Sequence, residues 1–210
     1  MIDIFSPNMI KTYLSCPKKF CYTYIENLSA PQSSVPFEKG KKIHALANYN
    51  LQGINIERLE TQLSVKEKEL WKLLKENEFY NKEYFKSEFQ INAKVGEYWV
   101  GGRIDALVKD GGKYYILDYK TGSIPKNPEY DFQTMIYFIC ADRYLKQYDS
   151  LYFVYINLKD KKNYIIEFTH EMKKIYEYKI AEICKQISSS YIYPENQENC
   201  AGCIYSKFCL

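Results

Sequence analysis

Residues 102–122 read GRIDALVKDGGKYYILDYKTG, two strand-like runs on either side of a Gly-Gly pair. Both runs are rich in β-branched, aromatic and apolar residues, and the DGGK segment at 110–113 is a typical hairpin connection. Side chains alternate between the two faces of a strand, so Asp118 and Lys120 point to the same side. The segment therefore predicts a hairpin with Asp105 on its first strand and the Asp118/Lys120 pair on its second.

The position of the turn decides which residue faces Asp118. A two-residue Gly111-Gly112 loop places Asp105 opposite Asp118, with Cβ atoms about 5 Å apart. A loop that begins one residue earlier places Arg103 there instead and leaves the two acids diagonal. Close carboxylates repel each other unless a cation lies between them, and hard divalent metals prefer oxygen ligands. With a lysine beside it, such a metal site has the outline of a phosphodiester-cleaving centre.

Periodicity and turn residues divide the rest of the chain into helices and strands. A capping serine followed by proline, Ser6-Pro7, predicts a helix that continues to about residue 27. A linker over 29–36 follows, and a second helix begins near residue 37 and carries His44. We also expect one or two charged helices in 56–79, strands at about 84–94, 98–109, 113–119, 151–158 and 164–169, and helices at about 129–147 and 170–189.

Two spaced motifs lie on either side of the hairpin. Gly40-x-x-x-His44 precedes it and Gln133-x-x-x-Tyr137 follows it. In this order, with the hairpin acids between them, the blocks resemble the RecB-like branch of the PD-(D/E)XK nuclease superfamily. The resemblance implies an α/β fold with a restriction-endonuclease-like core, in which a central mixed β-sheet is flanked by helices. One departure is Asp118, where many relatives carry glutamate.

The resemblance also implies roles for individual residues. Asp105 and Asp118 would be catalytic and would hold Mg²⁺ or Mn²⁺, with the backbone carbonyl of Tyr119 as a further ligand. His44 would be another metal ligand, and its imidazole would favour Mn²⁺ because it is a softer ligand than a carboxylate. Lys120 would be catalytic by orienting the attacking water or by neutralising charge in the transition state.

Three other residues are candidates for DNA contact or active-site support. Glu88 lies on the strand before the Asp105 strand, where relatives often place an acid, although an ordinary edge-strand glutamate is an equal explanation. Gln133 and Tyr137 are four residues apart and share one helix face. By resemblance, they would contact the DNA backbone or hold Lys120 in place.

Three cysteines close the chain with the spacing Cys200-x2-Cys203-x5-Cys209, which is typical of metal ligation. A fourth ligand must come from elsewhere, and Cys16 and Cys21 near the start of the chain are the candidates. Four thiolates suit a 4Fe–4S cluster or a structural Zn²⁺, and this chemistry alone does not separate the two.

RecB-like motifs combined with terminal cysteines resemble the CRISPR-associated Cas-four exonuclease family, along nearly the whole chain. This resemblance implies that Cys16, Cys200, Cys203 and Cys209 bind a 4Fe–4S cluster, since Cys16 before a proline fits the family better than Cys21. It also implies DNA and CRISPR integrase proteins as partners, and a role in antiviral defence.

Composition sets outer limits on these expectations. The chain has 210 residues, 46% of them hydrophobic, and a formal charge of +3, which fits one domain with a substantial core. No apolar run approaches the ~20 residues of a membrane helix, and the first residues lack the character of a signal peptide. Seven cysteines cannot all pair as disulfides. We therefore expect a cytoplasmic protein with no membrane partner and with reduced or metal-bound thiols.

These observations combine into one prediction with two alternatives. We expect a single nuclease domain over 1–210, made of an N-terminal helix with the first cluster cysteine (1–28), a helical segment with the His motif (29–83), the catalytic sheet and helix (84–169), and a C-terminal helix with the cysteine cluster (170–210). Its activity would be that of a metal-dependent DNA exonuclease on single strands or overhangs, which processes DNA for CRISPR spacer acquisition. The alternatives are a DNA-end-binding subunit active only within an integrase complex, and a phage or host repair-recombination nuclease unrelated to CRISPR.

Overall fold

In a computed structural model of the chain, residues 2–29 and 35–209 are described, with the backbone alone for 35–39. The described residues form helices α1 (Pro7–Ser15), α2 (Pro17–Phe20), α3 (Val35–Leu51), α4 (Glu57–Thr61), α5 (Val65–Lys75), α6 (Phe132–Leu145) and α7 (His170–Ser188). The strands are β1 (Glu83–Val95), β2 (Tyr98–Asp110), β3 (Lys113–Lys120), β4 (Ser150–Asn157) and β5 (Lys162–Glu167). A π-helical turn spans Cys21–Ile25, and 3₁₀ turns span Pro128–Tyr130, Gln197–Asn199 and Ser206–Phe208.

The strands form one five-stranded sheet in the order β1-β2-β3-β4-β5. β3 and β4 are parallel, and the other neighbours are antiparallel. Parallel neighbours cannot be joined by a tight turn, and α6 supplies the crossover between them. The predicted α/β fold, a mixed sheet flanked by helices, is confirmed.

The turn between β2 and β3 is Gly111-Gly112, because Asp110 pairs with Lys113 across it. Continued along the hairpin, this register places Asp105 opposite Asp118, as the first of the two predicted registers requires. Gly111 has a φ of 59°, a left-handed conformation that costs a residue with a Cβ atom ~1–2 kcal/mol. The glycine pair therefore sets the register, and the register brings the two acids together.

Helices cover both faces of the sheet and bury two cores. On one face, α1, α6 and α7 pack over a core that includes Ile116, Phe138 and Phe153. On the other face, α3 and α5 pack over a core that includes Trp71 and Leu117. Adjacent residues of β3 thus belong to different cores, as strand alternation requires. The His44 motif of α3 and the Gln133 motif of α6 consequently approach the sheet from opposite sides.

The predicted continuous N-terminal helix is wrong at Cys16. α1 ends at Ser15, Cys16 is extended with φ −162° and ψ 107°, and α2 begins at Pro17. A proline disfavours the helical conformation for the residue before it, so the Cys16-Pro17 pair interrupts the helix. The Cys16 side chain caps α2, where its Sγ accepts a hydrogen bond from the amide of Lys19 at 3.4 Å.

The other element predictions differ from the structure mainly at their ends. The linker predicted over 29–36 falls mostly on 30–34, outside the described residues, and α3 begins at Val35. The charged segment 56–79 forms α4 and α5, and Trp71 and Leu74 of α5 are buried. Across 2–29 and 35–209, none of the helices has both the length and the apolar character needed to cross a bilayer.

Candidate active site

Three acids lie side by side across β1, β2 and β3, and we call Glu88, Asp105 and Asp118 the acidic row. The β1–β2 register places Glu88 opposite Asp105, and the β2–β3 register places Asp105 opposite Asp118. At this level the backbone of Tyr119 donates to the Asp105 carboxylate, at 2.9 Å from Oδ2. The Asp105 carboxylate thus accepts the amide that a backbone carbonyl would accept in a regular sheet. The three strands carry three carboxylates at this level of the sheet.

Glu88 has a φ of 45° within β1. A left-handed backbone is uncommon for a residue other than glycine, and it costs of order 1–3 kcal/mol. Strict alternation would put the residues on either side of Glu88 on one face. Instead Ser87 hydrogen-bonds to α3, whereas Phe89 packs against the core beneath α6. The distortion directs the Glu88 carboxylate towards the rest of the acidic row.

His44 reaches the acidic row from α3. Its Nδ1 lies 3.1 Å from Asp105 Oδ1 and 4.0 Å from Glu88 Oε1. Its Nε2 lies 3.0 Å from the carbonyl oxygen of Tyr119. Because both ring nitrogens face acceptors, the doubly protonated imidazolium is the form that satisfies both contacts.

The charges of the acidic row control the protonation of His44. Burial alone would lower the pKa of His44, but the hydrogen bond and charge of Asp105, helped by Asp118 and Glu88, raise it to about 9. Burial and then the charge of Asp105 raise the pKa of Glu88, against the opposing charges of Arg103 and His44. The negative charges of the acidic row therefore stabilise a nearby positive charge. In the metal-free protein, protonated His44 supplies that charge.

Asp118 is 4% exposed, and its carboxylate has two partners. Its Oδ2 lies 2.8 Å from Lys120 Nζ, and its Oδ1 accepts a hydrogen bond from the side-chain amide of Gln133 on α6. Burial and then the charge of Asp105 raise the pKa of Asp118, while Lys120 lowers it. Burial would lower the pKa of Lys120, but the charge of Asp118 outweighs it and raises that pKa. A raised pKa keeps Lys120 positively charged at neutral pH.

Arg103 and Tyr137 complete the walls of the site. Arg103 Nε lies 2.8 Å from Glu88 Oε2, and its side chain is 68% exposed. The Tyr137 hydroxyl donates to the carbonyl of Arg103 at 2.9 Å. Gly102 leaves room for this contact, because a Cβ there would lie 2.9 Å from the hydroxyl oxygen. Gln133 and Tyr137 of α6 therefore hold β3 and β2, respectively.

A divalent cation fits the donor set at the acidic row. One ligand atom each of His44, Glu88 and Asp105 lies within 4.8 Å of the other two, and no other set of three such groups does so in the described part of the chain. One imidazole and two carboxylates suit Mn²⁺ or Mg²⁺. Asp118 stands outside this set, because its oxygens face the neighbouring lysine and the α6 amide.

A second candidate site lies where the two ends of the chain meet. Cys16, Cys200, Cys203 and Cys209 line a cavity of about 240 Å³. Burial raises the pKa of Cys209, and the thiols of Cys203, Cys16 and Cys200 raise it further, while the hydroxyl of Tyr22 lowers it. The four thiols share one environment, in which a cation would stabilise their thiolate forms. We call this site the cysteine pocket.

Cys21, the alternative fourth ligand, does not line the cysteine pocket. Its thiol donates to Glu26 Oε1 at 3.3 Å. Tetrahedral Zn–S bonds of 2.3 Å would put the sulfurs about 3.8 Å apart. Of the four pocket cysteines, all within the described residues, no three have sulfurs within 4.8 Å of one another. The pocket is therefore more open than a single zinc ion requires.

The structure brings the predicted metal ligands together only in part. His44, Asp105 and the carbonyl of Tyr119 converge, and Glu88 joins them from the neighbouring strand. Asp118 lies next to them but contacts Lys120 and Gln133 instead. The predicted role of Asp118 as a metal ligand stays a prediction.

The sequence points only weakly to Glu88 and does not single out Arg103. A left-handed residue inside a strand leaves no sequence signal, so the sequence supports only an auxiliary role for Glu88. Arg103 lies two residues before Asp105 on the same strand, and that spacing is a usable signal. Gln133 was expected to contact the DNA backbone or to hold Lys120, and it contacts Asp118, the partner of that lysine.

Comparisons with known proteins identify the family to which the chain belongs. The family model of the PD-(D/E)XK nuclease superfamily matches residues 4–210. The chain is 33% identical over 134 residues to the RecBCD enzyme subunit RecB of Borreliella burgdorferi, which covers 61% of this chain but only 11% of that protein. It is 22% identical over 207 residues to the CRISPR-associated exonuclease Cas4 of Francisella tularensis subsp. novicida, 96% of this chain and 91% of that one. The solved structure of a proposed exonuclease from Eubacterium rectale shares the fold, with a TM-score of 0.61 at 10% identity over 92% of this chain and 84% of that one.

The raised pKa of His44 predicts how the stability of the metal-free protein depends on pH. The folded-state pKa of about 9 lies above the ordinary value of 6.5, so the contribution is fully present below pH 6.5 and is lost as the pH rises through 9. The side chain is 28% exposed, and after allowing for screening we expect roughly 1–2 kcal/mol. Urea unfolding in chelator should show the protein more stable than His44→Gln near pH 6, with a gap that narrows by pH 9.5. A gap that does not change with pH would contradict this.

The backbone strain at Glu88 predicts an inverted order of stability. In an ordinary strand, glycine is less stable than alanine by roughly 0.5–1 kcal/mol. Because only glycine accepts a φ of 45° without strain, we expect Glu88→Gly to be more stable than Glu88→Ala by about 1 kcal/mol. Both variants lose the same carboxylate contacts, so the difference in their urea midpoints isolates the backbone. The usual order, with alanine more stable, would mean that the strand is unstrained.

Proposed function

The chain belongs to the PD-(D/E)XK nuclease superfamily, and we propose that it is a divalent-metal-dependent DNA exonuclease that acts on single strands or overhanging ends. The observation that carries the proposal is the donor set of His44, Glu88 and Asp105 beside the ion pair of the buried Asp118 with the partly exposed Lys120. Phosphodiester hydrolysis needs a bound cation and a second positive charge near the reacting phosphate. We further propose that 1–210 act as one nuclease domain.

Each residue of the site has a distinct task in this proposal. A bound divalent cation would polarise the scissile phosphate and lower the pKa of the attacking water. His44, Glu88 and Asp105 would hold the cation, and His44 would lose its proton as it binds. Lys120 places a positive charge where negative charge grows on the phosphate oxygens, and Asp118 fixes the direction of that ammonium group.

Charge balance at the site supports an anionic substrate. With His44 protonated, the three negative charges of the acidic row face three cations: His44, Arg103 and Lys120. If a divalent cation replaces the His44 proton, the same row faces four positive charges, and the site has a net charge of about +1. Such a site attracts phosphate. Arg103, largely exposed beside the donor set, is suited to a phosphate next to the scissile one.

The cysteine pocket is proposed to hold a 4Fe–4S cluster rather than a zinc ion. Four thiols surround one cavity of about 240 Å³, and their sulfurs are too dispersed for a single tetrahedral ion without rearrangement. A four-iron cluster takes four cysteine ligands. We propose a structural role, because the pocket joins the first helices to the end of the chain.

The cellular role is proposed to be the trimming of DNA for CRISPR spacer acquisition, in the cytoplasm, with DNA and CRISPR integrase proteins as partners and no membrane. Similarity to Cas4 along most of both chains supports this role. The higher identity to RecB over a shorter segment favours one other candidate, a repair or recombination nuclease. Because the chain spans only a small part of that subunit, the RecB match supports the catalytic domain more than the role.

Cleavage of end-labelled DNA tests the activity. We expect degradation of single strands with Mn²⁺ or Mg²⁺, none with chelator, and a loss of roughly 100-fold or more in Asp118→Asn, since the lysine loses its charged partner. Asp142→Asn is the matched control, because Asp142 is also largely buried (15% exposed) and pairs with a lysine, Lys173, at 2.8 Å. Equal cleavage by the protein and Asp118→Asn would mean that the activity belongs elsewhere.

The substrate preference is tested with a duplex that carries single-stranded overhangs. Trimming that stops at the duplex would support the processing role, whereas degradation through the duplex would favour the recombination nuclease. Cleavage that occurs only after a CRISPR integrase is added would favour the third possibility, a DNA-end-binding subunit active only within that complex.

Iron analysis after anaerobic purification tests the cysteine pocket. We expect roughly four iron and four sulfide per chain, lost in Cys200→Ser and kept in Cys21→Ser, because only Cys200 lines the pocket. If the protein contains one zinc per chain and no sulfide, the cysteine pocket is a structural zinc site and the proposed cluster is wrong. Loss of iron in Cys21→Ser alone would contradict the proposed ligand set.

A further inference from the structure

An ion pair joins α1 to the first turn of α6. Lys11 Nζ lies 2.8 Å from Asp131 Oδ1, and the side chains are 36% and 14% exposed. Asp131 is the N-cap of α6, and its Oδ1 also accepts the amide of Gln133 at 2.9 Å. The Lys11–Asp131 pair therefore adds a charged contact at the start of α6 to the apolar packing between α1 and α6.

The first turn of α6 leads directly to the proposed catalytic pair. The side chain of Gln133 holds one oxygen of Asp118, whose other oxygen holds Lys120. Burial lowers the pKa of Lys120, while Asp118, Asp105 and Asp131 raise it, so Asp131 also lies within electrostatic reach of that ammonium group. A shift of this helical turn would move the amide that holds Asp118.

The far end of α1 is fixed at the cysteine pocket. Cys16 is the C-cap of α1 and lines the cavity. The carbonyl of Ser15 accepts hydrogen bonds from the side chains of Asn196 at 3.1 Å and Asn199 at 2.8 Å. Asn199 directly precedes Cys200 and Asn196 lies one turn earlier, so the C-terminal segment contacts the end of α1 beside the cysteine pocket.

From these contacts we infer that Lys11 is a positioning residue, through which the cysteine pocket sets the geometry of Asp118 and Lys120. The inference rests on the proposed nuclease function. α1 acts as a strut between the pocket and α6, and Lys11 is its charged contact with the helix that carries Gln133. Loss of the group that ties the cysteines together would loosen α1 and, through Asp131, the placement of the catalytic pair.

The molecule contains a closely matched control for this pair. Lys173 Nζ lies 2.8 Å from Asp142 Oδ2, with side chains 33% and 15% exposed. This pair has the same chemistry, length and exposure as Lys11–Asp131, and it also joins a neighbouring helix to α6. It lies near the other end of α6, away from Gln133. The two pairs differ in the end of α6 to which they attach and in the second partner of the aspartate, which is the Gln133 amide for Asp131 and the Tyr148 hydroxyl for Asp142.

Kinetics of three variants test the positioning role. Misplacement of reacting groups by about 1 Å can cost ~100-fold, so Lys11→Met should lower kcat by roughly 10- to 100-fold while KM for DNA and the Mn²⁺ dependence stay within about twofold. Lys11→Arg, which keeps the ion pair, should restore most of kcat. Lys173→Met should leave kcat unchanged. A kcat of Lys11→Met within twofold of the parent, or an equal loss in Lys173→Met, would overturn the inference.

Hydrogen exchange tests the same strut without reference to activity. Amides of 133–137, in the first turns of α6, should exchange faster in Lys11→Met and in Cys200→Ser but not in Lys173→Met. Because both changes act through one strut, the double variant Lys11→Met/Cys200→Ser should exchange little faster than Lys11→Met alone. Unchanged exchange in Cys200→Ser, or fully additive effects, would overturn the link to the pocket.

A milder variant covers the case in which Cys200→Ser does not fold. Joint replacement of Asn196 and Asn199 by alanine removes the hydrogen bonds to Ser15 and leaves all four thiols in place. It should speed exchange in the first turns of α6, and unchanged exchange in this folded variant would overturn the link. If the parent cleaves no DNA, the proposed function fails, while the exchange measurements still decide whether the strut exists.

Discussion

Repulsion within the acidic row is the constraint on which the rest of the structure depends. Three carboxylates on three adjacent strands destabilise the fold unless cations offset them, and burial makes each uncompensated charge more costly. The compensation comes from different layers: His44 from α3, Arg103 from β2 and Lys120 from β3. Each helical layer packs on its own face of the sheet, and polar contacts also connect both layers to the acidic row. His44 reaches the row from one face and Gln133 from the other.

The same constraint explains the irregular geometry of the strands. A regular ladder would direct successive side chains to alternate faces, and it would give the Tyr119 amide a backbone partner. Here the Asp105 carboxylate accepts that amide, and Glu88 takes a left-handed φ. Strain of this kind persists only where the surroundings hold it, and it concentrates at functional sites. Tyr137 supplies such a hold, since it binds the backbone of β2 next to the row.

The elements that could be predicted from sequence are those fixed by local chemistry. Alternating apolar residues and the glycine pair predicted the hairpin but left two registers open, and the Asp110–Lys113 pairing in the structure selects one of them. The motifs singled out His44 and the acids. The helix break at Cys16 was predictable from Pro17 but was obscured by the apolar periodicity on both sides of it. In the structure Glu88, and not Asp118, shares the donor set with His44. This arrangement depends on the left-handed backbone of Glu88 and on the contacts of both Asp118 oxygens with Lys120 and Gln133. Those are properties of the assembled sheet, and no window of sequence contains them.

The meeting of the chain ends raises a different physical problem. Ser15 and Asn199 are 184 residues apart in sequence, and bringing such distant segments together costs entropy that a few exposed hydrogen bonds barely offset. A cluster or metal ion bound by Cys16 and the C-terminal cysteines would offset this loss of entropy. Its ligand bonds form only in the folded chain and therefore stabilise the folded state. Ile10 and Tyr13 of α1 are buried in the core beside α6, so the cysteines would add to this apolar packing by fixing the end of α1 that lies away from Lys11. If the proposed strut exists, the placement of the Asp118–Lys120 pair and the integrity of the cysteine pocket depend on each other, although no side chain belongs to both.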